Sequence, residues 1–244
     1  METTSYIALS RQGGLRRQLD VIANNLANMN THGFKSEKMM FAEHLVRSRG
    51  GHKPISEKVA YVRDIATMRN LDKGPLETTN NPLDLAISGN GYFVIQTDHG
   101  DAYTRNGRFK LNEEGQLVNQ RNESVVSDTG QPFFFGPDDK NIQIANDGTV
   151  STNNGDLGRI GVVEFENEQK LRPGAAGQFF ADEDPTPVDT PAIVQGMLES
   201  SNVQPIHEVS KMIQLQRTYE SVRKFIEKED ERVKGMIQAM SRAA

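Results

Sequence analysis

The residue types able to do chemistry are present in this chain but are not grouped for it. Gly89-Asn90-Gly91 contains the GxG that begins many phosphate-cradling loops. It lies between two predicted strands, and it lacks the third glycine and the following helix that would aim amide groups at a pyrophosphate. His32, His44, His52, His99 and His207 are dispersed, and no HExxH spacing sets two imidazoles on one helical face. They read as structural or surface residues. Asp138-Asp139 and Asp182-Glu183-Asp184 offer oxygen ligands for a hard cation, without the alternating spacing and central glycine of a calcium loop, and read as solvated turns. Nothing sets two carboxylates across a cleft, as glycoside hydrolysis requires. With no cysteine, thiolate chemistry and disulfides are absent. The reading is therefore no enzyme: no catalytic residue, no cofactor, no metal site and no small-molecule substrate.

Composition narrows the remaining classes. The 244 residues are 36% hydrophobic and 7% aromatic, with no tryptophan, which makes a thin core for one large or two modest domains. The 28 basic and 33 acidic residues, net −5, are scattered along the chain and predict no sustained basic surface for nucleic acid. Met1–Ser10 shows neither a basic n-region nor an apolar h-region, so no cleavable secretory signal is expected, and no apolar run approaches the ~18 residues of a membrane span.

What the sequence does specify is a pair of narrow apolar seams, one near each end. Met212, Leu215, Tyr219, Val222, Ile226, Glu229, Val233, Met236 and Met240 follow steps of three and four, broken in character only by Glu229. Leu15, Leu19, Ile22, Leu26 and Met29 repeat those steps near the N-terminus. Each seam asks for a helical partner, since burial of a large apolar side chain contributes about 1.5–3 kcal/mol only when another surface removes it from water. The partner is either the other seam of the same chain or a neighbouring subunit. Ordering the backbone costs roughly 1–2 kcal/mol per residue, so these segments are expected to fray in an isolated subunit and to be helical in an assembly. The first helix is predicted over about Ser5 to Thr31, with a kink or local flexibility at Gly13-Gly14. Gly33 is placed at its left-handed C′ position, with Phe34 folding back on Met29. Asn24, Asn25, Asn28 and Asn30 crowd this helix although asparagine is a poor helix former. They form either a solvated face or a polar device that sets the register between helices.

Between the seams the pattern changes. Gly50, Gly51, Pro54, Gly74, Pro75 and Pro82 punctuate the stretch after Phe41, which reads as an extended connector. Leu83, Leu85 and Ile87 alternate with polar neighbours, Gly89-Asn90-Gly91 turns the chain, and Tyr92–Ile95 is a β-rich run, together predicting a hairpin. Asn106-Gly107 predicts a type I′ turn between 102–105 and 108–111, and Asp147-Gly148 a second hairpin between 142–144 and 149–151. A further strand is expected over 160–165, then an exit loop at the acidic, proline-bearing 182–187. Helix restarts near Asn202, with Pro205 in its first turn and Glu208 near its N-terminus. Phe133-Phe134-Phe135 divides between a core face and an intersubunit contact.

Several of these stretches carry a resemblance. Ala23-Asn24-Asn25-Leu26-Ala27-Asn28, followed by Thr31, Gly33, Phe34 and Lys35, resembles the N-terminal signature of bacterial flagellar rod and hook proteins. The runs 82–87, 89–93, 103–107 and 146–150 are similar to the β region of the same family, and 198–206, with Pro205, resembles the C-terminal junction of a rod protein of the proximal type. The resemblance implies a subunit of the axial drive shaft, with terminal helices packed in an inner tube and the β domain facing outward. It implies other rod subunits as partners, both copies of itself and neighbouring axial proteins, and passage unfolded through the flagellar type III export apparatus. It also implies residence in the periplasm-spanning rod of the basal body. A distal rod or hook-type subunit, or a β ligand-binding module on a helical stalk, are the alternatives.

The expected fold is α+β: coiled-coil-like N- and C-terminal helices around a central antiparallel β domain. Its parts are a helical segment at 1–40, the connector at 41–81, the β domain at 82–191 and a helical segment at 192–244 that pairs with the first. The expected assembly interface is Leu15, Leu19, Ile22, Asn24, Asn25, Leu26, Asn28, Met29, Met212, Leu215, Tyr219, Val222, Ile226, Val233 and Met236.

Overall fold

The computed structural model describes residues 2–47, 58–139 and 141–243. The chain divides into two units: Met1–Ala27, Glu37–Asn70 and Gln204–Ala244 form one, and Asn28–Ser36 with Leu71–Val203 the other.

The first unit holds the long helices, α1 over Glu2–Ala27 and α2 over Pro205–Ala243. Pro205 opens α2, where its missing N–H would have had no helical partner in any case. α1 remains helical through Gly13 and Gly14, and Gly14 is buried. α1 also stops four residues earlier than expected. Asn28 takes the chain out of the helix: its carbonyl accepts from Thr31 N at 3.1 Å and its Oδ1 from Thr31 Oγ1 at 3.1 Å, the local competition that makes asparagine a helix breaker. Gly33 does take a positive φ of 71°, but as part of a later turn and not as the helix cap. Its amide donates to Glu199 O at 2.7 Å, and a Cβ there would sit 2.5 Å from the Arg105 carbonyl carbon, so close backbone approach is what demands glycine. Phe34 N donates to Thr31 O at 3.2 Å.

The stretch expected to be an extended connector contains the remaining elements of this unit. β1 (Glu37–Arg47) and β2 (Lys58–Arg69) form an antiparallel ribbon, in register from Glu37↔Arg69 to Arg47↔Lys58 with a shift between Met40 and Phe41. The shift breaks the period of two on which sequence recognition of strands depends. The breaks predicted at Gly50, Gly51 and Pro54 lie outside the described residues.

The second unit is antiparallel β throughout. β3 (Leu76–Thr78) pairs with 197–199 and β4 (Leu85–Ile87) with 193–195, so the chain's way into this unit is zipped to its way out. This pairing displaces the expected 83–87/92–95 hairpin, and it puts residues 193–199, within the bounds expected for the C-terminal segment but before its helix, into strands. β5 (Tyr92–Thr97) is central, bonded to β6 (Gly100–Thr104), to 124–125 and to 162–164. Its run of four buried residues serves two cores. Phe93 faces a cluster with Leu85, Ile87, Phe109, Leu117 and Val150, while Tyr92 and Val94 face Tyr103, Phe179 and Leu171. Edge-to-face rings fill both sides, Phe93 with Phe109 at 5.3 Å and Tyr92 with Phe179 at 5.8 Å.

The 143–144/149–152 hairpin around Asp147-Gly148 forms as expected. The one at Asn106-Gly107 does not: β6 pairs with β5 and with 178–180, and neither Asn106 nor Gly107 takes a positive φ. Side chains make the bend instead, Thr104 Oγ1 accepting from Asn106 N at 3.0 Å and Asn106 Oδ1 from Arg108 N at 3.1 Å. Gly107 is needed for contact, because its carbonyl accepts from Leu85 N at 3.0 Å and a Cβ would sit 1.7 Å from Leu85 O. Gly107→Ala must push β4 away from this bend and is expected to destabilise the β unit by about 3 kcal/mol, read from the midpoint of chemical unfolding.

Candidate assembly interface

α1 and α2 run antiparallel within their unit. Asn25, near the end of α1, bonds Glu208 in the first turn of α2, while Ile7 and Ala8 share a groove with Val222 and Phe225. Burial follows the sequence seam. Between Glu208 and Glu229 the residues of α2 that are not exposed are Met212, Leu215, Thr218, Tyr219, Val222 and Ile226, all but Thr218 on the seam. Glu229, the charge in the seam, is itself half-buried and pairs with Arg232 at 2.6 Å, one turn on. On α1 Ile22 is buried and Leu15, Leu19 and Leu26 are half-buried. Met29 lies beyond the helix end, belongs to the β unit and is exposed. α2 has 39 residues against 26 in α1, and after Glu229 its seam is uncovered: Val233, Met236 and Met240 are all exposed, Met240 at 74%.

The asparagines separate cleanly. Asn24 is exposed, and Asn28 builds the turn described above. Asn25 is 1% exposed and clasps three elements of its unit. Its Oδ1 accepts from Glu37 N at 2.9 Å, and its Nδ2 donates to Glu37 O at 2.8 Å and to Glu208 Oε2 at 3.2 Å. One side-chain amide thereby fixes the start of β1 and the first turn of α2 against α1, with the second Glu208 oxygen held by Lys211 at 2.7 Å.

A second polar centre, in the β unit, was not foreseen. Glu199 is 1% exposed, and its Oε1 accepts from Lys35 Nζ at 2.5 Å and from Gly74 N at 3.0 Å, while Arg105 Nη1 approaches Oε2 at 3.4 Å. Lys35 Nζ also donates to Asp72 O at 2.9 Å. Arg105 Nη1 donates to Gly89 O at 3.0 Å, and its guanidinium lies 5.4 Å from the Tyr92 ring centroid. Two buried cations share one carboxylate. Desolvation holds the Lys35 pKa below the ordinary lysine value; the hydrogen bond and charge of Glu199 oppose this, and the charge of Arg105 adds to it. The signal was partly visible, since Lys35, Arg105 and Glu199 each fall in one of the stretches that carry the family resemblance. Only the fold brings the three stretches together.

The groups first considered for chemistry are occupied otherwise. Asp139 accepts from Gly136 N, Asn154 and Thr152, and those donors, Gly136 N foremost, hold its pKa down. Asp182 pairs with Arg172, and Glu183 with Lys170. Phe133 and Phe135 enter the core and Phe134 is exposed.

Three family descriptions match in chain order. Residues 6–35 match the flagella basal body rod protein family, 86–152 the flagellar hook protein FlgE/F/G D1 domain, and 194–239 the flagellar basal body rod FlgEFG protein C-terminal region. The chain is 41% identical over 242 residues to the flagellar basal-body rod protein FlgF of Caulobacter vibrioides, covering 93% of each chain. The chain belongs to the flagellar basal-body rod protein family, FlgF type. It is 35% identical to FlgF of Mesorhizobium japonicum, covering 91% of this chain and 90% of the relative. The identity to FlgG of Bacillus subtilis is 32%, covering 93% and 94%. It is thus a structural subunit of the flagellar basal-body rod, and the matched segments contain Asn25, Lys35, Arg105, Glu199 and Glu208.

Two predictions follow from these centres. Glu199→Gln leaves two buried cations without an anion and is expected to cost about 3–5 kcal/mol of β-unit stability, whereas Lys35→Met leaves the Arg105–Glu199 pair balanced and costs less. Between the lowered Lys35 pKa and the ordinary lysine value the unfolded chain binds the extra proton, so the native protein gains stability over Lys35→Met as pH rises through that window. Equilibrium unfolding of both variants across the alkaline range checks the order and the slope. Asn25→Asp replaces two donated hydrogen bonds with a second carboxylate facing Glu208 and is expected to lose about 2–4 kcal/mol in the helical unit, measured by hydrogen exchange of α1. Asn24→Asp, on the exposed side, is expected to lose far less.

Proposed function

We propose that this rod subunit polymerises through its terminal helices into the proximal part of a torque-transmitting drive shaft, beside copies of itself and neighbouring axial proteins. The observation that carries this reading is the uncovered end of the α2 seam. Fourteen residues beyond Glu229 stay helical to Ala243 with Val233, Met236, Ile237 and Met240 exposed, a stretch about 21 Å long that its own α1 does not reach. An apolar stripe of that length gains its stability only when a neighbouring helix covers it. The far end of α2 is accordingly covered on assembly, after passage as an unfolded chain through the flagellar export apparatus. The work is mechanical and needs no catalysis; the subunit spans the periplasm as part of the rod.

The test separates folding from assembly. Met236→Ser combined with Met240→Ser alters side chains that the subunit leaves exposed, so the thermal unfolding of the purified protein is expected to stay within about 0.5 kcal/mol of the native value. Incorporation into isolated basal bodies is expected to fall at least tenfold. Ile226→Asp, at a half-buried seam position, is expected to reduce both. Normal incorporation of the double variant sinks the reading.

A further inference from the structure

The net charge of −5 conceals a division between the two units. The β unit carries 10 Lys and Arg against 21 Asp and Glu, net −11, and the helical unit 18 against 12, net +6. The negative charge has a focus in a cleft of about 400 Å³ whose floor includes Val94, Val126 and Val163. Asp101, Asp128 and Asp189 line it and are exposed. Among the lining residues the only cation is Arg159, whose Nη1 donates to the Asp189 carbonyl at 2.9 Å. Tyr103, also in the lining, has its hydroxyl pKa pushed up by burial first and then by the carboxylates of Asp101 and Asp184, which fits a negative field over an apolar floor.

The positive charge also has a focus. Residues 47–58 contain Arg47, Arg49, Lys53 and Lys58 against Glu57, with Val46 before them and Pro54-Ile55 among them. This basic and partly apolar segment joins the far ends of β1 and β2. Ten steps of roughly 3.3 Å along β1 put Arg47 about 33 Å from the root of the ribbon at Glu37.

We propose that the acidic cleft lined by Asp101, Asp128 and Asp189 is a docking surface for residues 47–58 of a second copy of this chain. The match is one of chemistry: guanidinium and ammonium groups meet the carboxylate rim, and the apolar residues of the arm meet the valine floor. The inference rests on the reading of this chain as a polymer subunit, because a polymer presents many copies of the cleft to each arm at high local concentration. It adds a polar, salt-sensitive contact to the apolar one at α2.

The experiment uses two full-length charge-reversed proteins, one carrying R47E, R49E and K53E, the other D101K, D128K and D189K. Circular dichroism verifies that each is folded, as expected for changes at exposed cleft positions. In low salt each is expected to lose the self-association of the native protein in sedimentation velocity. An equimolar mixture is expected to recover it, because the native arm of one variant then meets the native cleft of the other, and a raised salt concentration is expected to abolish the recovery. Variants that self-associate like the native protein, or a mixture that stays monomeric, overturn the docking surface. The outcome is independent of the seam. If the Met236 and Met240 double variant fails to enter the rod while the mixture stays monomeric, only the cleft falls; if the mixture associates while the double variant enters normally, only the seam does.

Discussion

A carboxylate withdrawn from water cannot remain charged without partners, and Glu199 sets the rest of the β unit by that requirement. With 1% of its surface exposed, it draws Lys35, Arg105 and the Gly74 amide to one point. Each partner comes from a different part of the sequence: the strap that follows α1, the bend after β6, and the approach to β3. Gly33 has to lose its side chain so that the strap can lie against the Arg105 backbone, and the strap is also held by the bond from Ser36 N to Asn202 Oδ1 at 2.7 Å. The place of residues 28–36 within the β unit is a consequence of this centre, since the strap has little apolar surface of its own to bury. Excess positive charge is the cost of the arrangement, and Lys35 bears it through its lowered pKa.

How much of this was legible follows from the range of each signal. The helical seams were readable because a period of three and four is local, and the burial of α2 from Met212 to Ile226 repeats it residue by residue. Strand existence was readable at Tyr92–Ile95 and around Asp147-Gly148, where β-branched and aromatic residues or a tight turn announce themselves within a few positions. Strand partners were not. β4 finds its neighbour more than a hundred residues away at 193–195, a pairing that no local pattern specifies, and the glycine turn at 89–91 closes no hairpin with it. Asn106-Gly107 misled for a related reason. The dipeptide suits a type I′ turn, but side chains of Thr104 and Asn106 offered the backbone another bend, and the glycine was required by Leu85. The ribbon of β1 and β2 was hidden by its register shift.

The polar residues show the same limit. Four asparagines in one helix could be read as surface or as a register device, and both readings hold for different members: Asn24 lies on the outside, while Asn25 spends its whole amide on Glu37 and Glu208. What distinguishes them is a rotation of one position along the helix, about 100°, which sequence spacing gives only relative to a seam already located. Taking Ile22 and Leu26 as seam residues puts Asn25 beside the stripe and Asn24 farther round. The signal was present, but its use depended on knowing that a strand start and a glutamate would be waiting there.

The two polar centres divide the mechanical problem that a rod subunit faces. Apolar seams are adaptable: burial is non-directional, so a neighbouring helix can slide or rotate by small amounts at modest cost, and the last fourteen residues of α2 expose Val233, Met236, Ile237 and Met240. Hydrogen-bonded centres are not adaptable, because a displaced partner leaves a buried charge or amide unmatched. Asn25 places directional bonds where α1, α2 and β1 meet, at the end of the helix pair opposite the uncovered α2 seam. Glu199 places them where the chain enters and leaves the β unit. Each unit is therefore stiff at its own root, while the uncovered end of α2 stays apolar and tolerant. A subunit that must carry torque through many repeated contacts gains from that order, since compliance between copies can be relaxed by repacking, whereas compliance within a copy would be lost motion.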